Sequence, residues 1–520
     1  MTAVDGAGSD RAAVTTEPGE DAGLSRLARP GSVMARTARG AGWIIVWRFA
    51  NRGLGLISTL ILVRLLTPAD FGIVSLAMSF VQGLGQLSEL GTEYAIIRAD
   101  APDRALYDTG FTINALRGLG VAIVLLILAV PLAHFFHNPH FAPVVVMAAL
   151  VSLLSGLENI GVVDFRRFIA FDQEFKLKLI PRLISVATAI GLAFLWHDFW
   201  ALISAILVNQ AVTVGLSYWM HPYRPRFTLR AWRRIAGYSL MLWLINVVAL
   251  VRSQASNVVL GRMIGAGAVG VFGVGAEIAA LPTSELVGPL CRAAFSGFTE
   301  LRRTADGGAA MLLRLLGLMA MFTLPAGFGL SLVADPVVRL GFGKAWLGAV
   351  PLLEILGIAG SLTIFGMISA TVFSVHAWMQ AMLKLNLALT FCRLLLLLVL
   401  VPRFGLIGAA IALAVTDAID QVIYLVVTVR RLQVGLRAIL ARVWRTLVAT
   451  AVMAASLVAL HLGWTTWSGP PAALAPRLAE AVALGAAIYA ATHVALWFAT
   501  GRPNGAERDV LATLTHLRRT

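Results

Sequence analysis

Charge is scarce in this chain. Only 13% of its 520 residues are Asp, Glu, Lys or Arg, while 58% are apolar and the mean hydropathy is +0.82. A soluble chain of this length carries about twice that share of charge. Cysteine is nearly absent. Cys291 and Cys392 both fall in apolar stretches, so there is no disulfide framework and no metal site, and both read as small buried side chains. The first 42 residues hold no apolar run of the kind a cleaved signal peptide needs. They are polar, rich in Gly, Ala and Thr, and read as a disordered cytoplasmic tail.

What remains is apolar runs of roughly 20 residues, the length that crosses a bilayer core about 30 Å thick. The chain divides into a tail (1–42), six helices (43–230), six more (231–432), and two extra helices with a basic end (433–520). Fourteen membrane helices are expected, in an all-α polytopic protein with two parallel six-helix repeats around a central cavity. About 32 of the 42 Lys and Arg fall in loops on the side of the N-terminus. That asymmetry predicts two cytoplasmic termini. The net charge of +15 therefore reflects topology, and no nucleic-acid platform is present.

The stretch Trp43–Arg98 organises the rest. Its first helix carries Arg48, Asn51 and Arg52, its second Glu89 and Glu93, and between them lies Arg64-Leu65-Leu66-Thr67-Pro68-Ala69-Asp70-Phe71-Gly72. Ionisable groups inside a membrane are costly and mark a polar route. Arg48 and Arg52, four apart, share a helix face, as do Glu89 and Glu93. The hinge recurs: Arg64 and Gly72 match Arg262 and Gly270 at an offset of 198. An even number of helices per copy gives both copies one orientation, as in many transporters.

The hinge, with Ser88-Glu89-Leu90-Gly91, Ile96-Ile97-Arg98, Asp164-Phe165-Arg166-Arg167 and Lys176–Arg182, resembles the polysaccharide transport family of oligosaccharide flippases. That family lies within the multidrug/oligosaccharidyl-lipid/polysaccharide exporter superfamily, and the likeness is greatest to colanic-acid and teichuronic-acid exporters. The second hinge departs from the first in lacking its Pro and Asp. The resemblance implies an exporter of a polyprenyl-pyrophosphate-linked oligosaccharide, in a bacterial cytoplasmic membrane, with no cofactor and no catalytic residue. A diphosphate head needs fixed cations, and Arg binds phosphate bidentately. Arg48, Arg52, Arg252 and Arg393 are the candidates, with Arg252 falling near Arg52 in repeat coordinates. The other reading of these arginines is snorkelling or pairing with Glu89, Glu93, Glu277 or Glu285. The carboxylates Glu89, Glu93, Glu277, Glu285, Asp417 and Asp420 are candidates for proton or sodium coupling, or else for static ion pairs. The last two helices would contact membrane lipid tails or a partner from the polymer-export machinery.

Two rivals stand beside this reading. An ion-coupled drug or cation antiporter of the superfamily would want an acidic, aromatic cavity with few fixed cations. A membrane polymerase or glycosyltransferase would need a sizeable outer loop, whereas the longest outer link, 463–473, is mostly apolar, Thr and Pro. Gly265-x-Gly267-x-x-Gly270 mimics a dinucleotide fingerprint, but no strand precedes it. Gly341-Phe342-Gly343-Lys344 fails the P-loop spacing. His134, His137 and His140 read as an interfacial loop. Tryptophans near helix ends, including Trp43, Trp196, Trp200 and Trp346, read as interface anchors.

Overall fold

The computed structural model describes residues 33–89, 91–99, 102–235, 240–283, 307–375, 379–503 and 507–508. Glu285, Cys291 and residues 1–32 lie outside the described residues. The described chain is helical and contains no strand. In the first half the helices are α1 (Val33–Leu65), α2 (Pro68–Leu87), α3 (Thr92–Arg98), α4 (Arg104–Phe135), α5 (Phe141–Gly156), α6 (Phe171–Trp196) and α7 (Trp200–Met220). The second half holds α8 (Leu240–Met263), α9 (Ala266–Ala279), α10 (Gly307–Leu332), α11 (Ala334–Gly341), α12 (Val350–Leu362), α13 (Ile364–Val375) and α14 (Met379–Arg431). The two extra helices are α15 (Leu436–Ala459) and α16 (Pro471–Ala499).

Helix starts follow local chemistry. Thr67 and Asp70 form a capping box at α2, with Pro68 in the first turn, where a missing N–H costs nothing. Asp103 caps α4 by accepting from the Leu106 N–H at 3.2 Å. Breaks are equally local. Gly91, at φ 66°, starts α3 as a new helix, so Glu89 and Glu93 do not share one helix face as their spacing suggested. The α5 segment turns by 67° into a short turn at Ile160–Arg167. In α14, Gly405 has φ 58° and ψ −131°, and the two limbs fold back on one another. Thr416 on one limb accepts from Arg393 on the other at 3.0 Å, and Leu389 packs with Tyr424. Two of the six helices expected over 231–432 are therefore present as the limbs of one hairpin.

Ten of the described helices are long and apolar enough to cross a membrane, or up to twelve if each of two bent pairs is one span. The α1 helix, interrupted by Arg48, Asn51 and Arg52, falls outside that count, and the limbs of α14 enter it once. The α1 helix begins at Val33, inside the segment expected to be tail.

One apolar core runs across both halves, from Val63, Leu76 and Phe141 in the first to Val269, Leu352 and Ala409 in the second. Trp346 is its largest fully buried side chain, at 0% exposure. It donates to the Val63 carbonyl at 2.8 Å and meets Phe71 edge-on at 5.3 Å. It plugs the seam between the halves, so the interface-anchor reading of Trp346 is corrected. Once the indole N–H has an acceptor, the interior is a better solvent for the ring than the interface. Trp196, by contrast, is exposed.

Candidate functional site

The two hinges meet. A Cβ added to Gly72 would lie 2.5 Å from the Ala266 carbonyl carbon and 2.9 Å from the Gly270 nitrogen. One added to Gly270 would lie 2.9 Å from the Pro68 carbonyl carbon and 3.0 Å from the Gly72 nitrogen. These contacts are reciprocal, because 68 pairs with 266 and 72 with 270 at the same offset of 198 as the sequence repeat. Only glycine lets the helix starts approach this closely. Around them, Arg64 donates to the carbonyls of Leu340 and Gly341, the latter at 3.1 Å. Arg262 lies 3.2 Å from His137 and stacks over Phe135. The arginines of the two hinges thus clamp this end of the seam, each on residues of the opposite half.

The intramembrane arginines divide into two groups. Arg252 of α8 pairs with Asp417 at 3.3 Å and with Asp420. Arg393 also pairs with Asp417 and donates to Thr416. Arg393 is buried, at 6% exposure, so its charge is compensated where it stands. One buried oxygen of Asp420, Oδ1, has no hydrogen-bond partner. The second group is on α1. Arg52 lies 3.5 Å from Glu277 of α9, a contact across the seam in which Glu277 remains half exposed. Arg48, one turn away, is half-buried and forms no ion pair with another described residue. Arg52 and Arg252, similar in repeat coordinates, therefore engage different carboxylates.

Glu89 and Glu93 are exposed at the break between α2 and α3 and line a small cavity with Gln82, Asn114 and Arg117. Glu93 also belongs to a second, larger cavity of about 420 Å³ inside the first half. There α1 contributes Trp47 and Asn51, the α5 turn Glu158 and Arg166, α6 Glu174, Lys178 and Arg182, and α7 Asn209, Gln210 and Thr213. Arg166 bridges Glu93 at 2.7 Å and Glu174 at 2.9 Å, and Lys178 reaches Glu174 at 2.6 Å.

The sequence singled out Arg166, Lys178 and Arg182 only as carriers of the family resemblance, with no site role, and Glu158, Asn209 and Gln210 were passed over. The available signal was the polar Asn209-Gln210 pair in an otherwise apolar helix.

Comparison with known proteins gives this arrangement its context. A family model for polysaccharide biosynthesis proteins matches residues 61–351. The chain is 25% identical over 334 residues to the succinoglycan biosynthesis transport protein ExoT of Rhizobium meliloti (strain 1021), spanning 63% of this chain and 67% of that one. It is 23% identical over 402 residues to the lipopolysaccharide biosynthesis protein WzxC of Escherichia coli (strain K12), spanning 75% and 80%. Among solved structures, the lipid II flippase MurJ in an inward closed conformation superposes with a TM-score of 0.67 at 13% identity, over 88% of this chain and 99% of that one. An inward-facing multidrug resistance MATE family transporter of the MOP superfamily gives 0.60 at 17% identity, over 73% and 94%. At these identities the likeness is one of fold, and this is a multi-pass membrane protein with that fold.

Proposed function

The chain belongs to the polysaccharide biosynthesis protein family, and on that premise we propose that it is a flippase, moving a polyprenyl-pyrophosphate-linked oligosaccharide across the bacterial cytoplasmic membrane by alternating access. It is a transporter rather than an enzyme. The observation that carries this reading is the pair Arg48 and Arg52, fixed cations four apart on one face of α1, with Arg52 reaching Glu277 across the seam. An arriving diphosphate, which a guanidinium binds bidentately, competes with the half-exposed Glu277 carboxylate for Arg52. Exchange of Glu277 for the diphosphate would loosen the seam as the substrate binds.

Arg252 and Arg393 are already committed to Asp417 and Asp420, and this cluster is the candidate coupling element. A proton on Asp420 would release Arg252 from one partner, and Arg252 would then turn toward the substrate head. Both termini in the cytoplasm and fourteen spans complete the proposed topology, the count reaching fourteen when α1 and both limbs of α14 are included with the twelve. Substrate contact in this reading extends to bilayer lipids, and α15 and α16 offer the surface for polymer-export machinery.

Complementation of a cell lacking its own flippase tests the reading. The intact protein is compared with Arg48→Ala and Arg52→Ala at matched membrane levels. Restored surface polymer with the intact protein and loss with both variants is expected, with Lys at either position restoring only part. Full activity of both alanine variants overturns the head-group assignment.

A further inference from the structure

The cavity inside the first half has a chemistry of its own. Its charges balance: Arg166, Lys178 and Arg182 stand against Glu93, Glu158 and Glu174. A bare diphosphate entering there would meet as many carboxylates as cations, which makes it a poor site for a polyanion. Several polar groups in it are uncommitted. The side-chain amides of Asn51, Asn209 and Gln210 make no hydrogen bond to another described residue, nor does the Glu158 carboxylate. The buried Arg182 Nε has no partner. The buried Nε costs free energy while unsatisfied, and the amides, open to the cavity, can both donate and accept.

An aromatic shelf adjoins. Trp43 and Trp47 contact Phe175 at 4.9 and 6.4 Å between ring centroids, and together with Phe171 they line a neighbouring cavity that shares Trp47, Arg166, Glu174 and Lys178 with the first. Flat aromatic faces beside groups that both donate and accept match one ligand chemistry. A neutral sugar has an apolar C–H face that stacks on indole and a rim of hydroxyls that each donate and accept. The volume of about 420 Å³ suits a small number of sugar rings.

The α1 helix connects this cavity to the proposed head-group site. Trp47 and Asn51, four apart, line the cavity, while Arg48 and Arg52 lie one residue further on, turned by about 100° around the same helix. A lipid-linked glycan lying against α1 can put its diphosphate on the arginine face and its first sugars on the tryptophan face.

We infer that the cavity bounded by Trp47, Asn51, Glu158, Arg182, Asn209 and Gln210 is the glycan-recognition site, selecting uncharged sugars at the reducing end of the lipid-linked chain. This assignment rests on the transport reading above, and it deepens that reading by separating sugar selection from diphosphate binding.

The test uses the full-length protein in lipid nanodiscs. The probes are bare undecaprenyl pyrophosphate and a panel of the same lipid bearing neutral disaccharides that begin with glucose, galactose or N-acetylglucosamine. Glycan-bearing lipid is expected to bind about tenfold tighter than bare lipid for at least one panel member, the worth of one or two net hydrogen bonds. The Asn209→Ala/Gln210→Ala double variant and Glu158→Gln each remove that preference while bare-lipid affinity stays as in the intact protein, which also reports that each variant is folded. Bare-lipid binding with no preference for any panel member overturns the glycan site alone. Equal weakening of both kinds of probe in the variants overturns it too, since the residues would then serve the head group or the fold. An intact protein that binds neither kind of probe overturns the transport reading, and the glycan site with it.

Discussion

Replacing Gly72 with alanine is the sharpest perturbation the fold offers. The added carbon would sit 2.5 Å from the Ala266 carbonyl carbon, where ordinary carbon–carbon contact is about 3.5–4.0 Å. The shortfall is therefore about 1 Å or more. The obstacle is backbone, so no rotamer change relieves it, and the starts of α2 and α9 must part. Overpacking of this kind costs about 1–3 kcal/mol, and a rigid obstacle puts the cost near the upper end. At about 3 kcal/mol the ratio of closed to parted hinge ends falls by about 150-fold. Spin labels at Leu195 and Ile264, both exposed, report the separation of the two halves near the hinge in a background without Cys291 and Cys392. The Gly72→Ala distance distribution is expected to shift to longer values and the thermal midpoint to fall. Gly120, where an added Cβ meets nothing within 4 Å, serves as control, and its alanine variant should match the intact protein or be slightly more stable. Distances and midpoint unchanged in Gly72→Ala would refute the hinge contact.

Three further outcomes follow from buried groups. Asp417→Asn strips Arg252 and Arg393 of a shared partner and should cost about 3 kcal/mol, read as a lowered Tm, part of which Arg393→Met in the same chain recovers. Trp346→Phe loses the hydrogen bond to Val63 at about 1 kcal/mol, whereas Trp346→Ala also opens a cavity and should cost about 3–5 kcal/mol, so the two Tm shifts should differ severalfold. Burial pushes the Glu507 carboxyl up, but His493, the local backbone and Arg445 outweigh it and hold the group at about 2. Its folded value lies below the ordinary one, so its contribution is complete above about pH 4.5 and is lost as pH falls through about 2. The Tm deficit of Glu507→Gln should accordingly stay constant between neutral pH and about 5 and shrink in stronger acid; a deficit that already shrinks above pH 5 contradicts the pairing.

Much of the architecture was legible because it is written in local patterns. Thr67, Pro68 and Asp70 spell a helix start, and the spacing of Gly72 and Gly270 spells a repeat. That the two glycines touch each other was not legible, because a repeat fixes an offset and leaves open which surfaces meet. Arg252 and Asp420 were both singled out, for separate tasks. Their pairing joins residues 168 positions apart on α8 and α14, and it depends on the fold at Gly405 bringing one limb of α14 against the other. Glu89 and Glu93 misled because helical spacing presumes a continuous helix, and Gly91 interrupts it. Trp346 misled because composition near a helix end does not distinguish a ring facing lipid from one closing a seam. Arg166, Lys178 and Arg182 stood out only as carriers of the family resemblance, because a one-dimensional pattern does not show that they line one cavity with Glu158, Asn209 and Gln210.

Transfer of a lipid-linked glycan between leaflets measures the proposed transport directly. The full-length protein is reconstituted into liposomes whose outer leaflet receives a polyprenyl-pyrophosphate oligosaccharide, and the fraction of glycan protected from a membrane-impermeant oxidant is followed in time. Protection rising faster than in protein-free liposomes, and falling back to that rate with Arg48→Ala/Arg52→Ala, is the predicted result. Equal rates with and without the intact protein, under an imposed proton or sodium gradient as well as in its absence, would contradict the account.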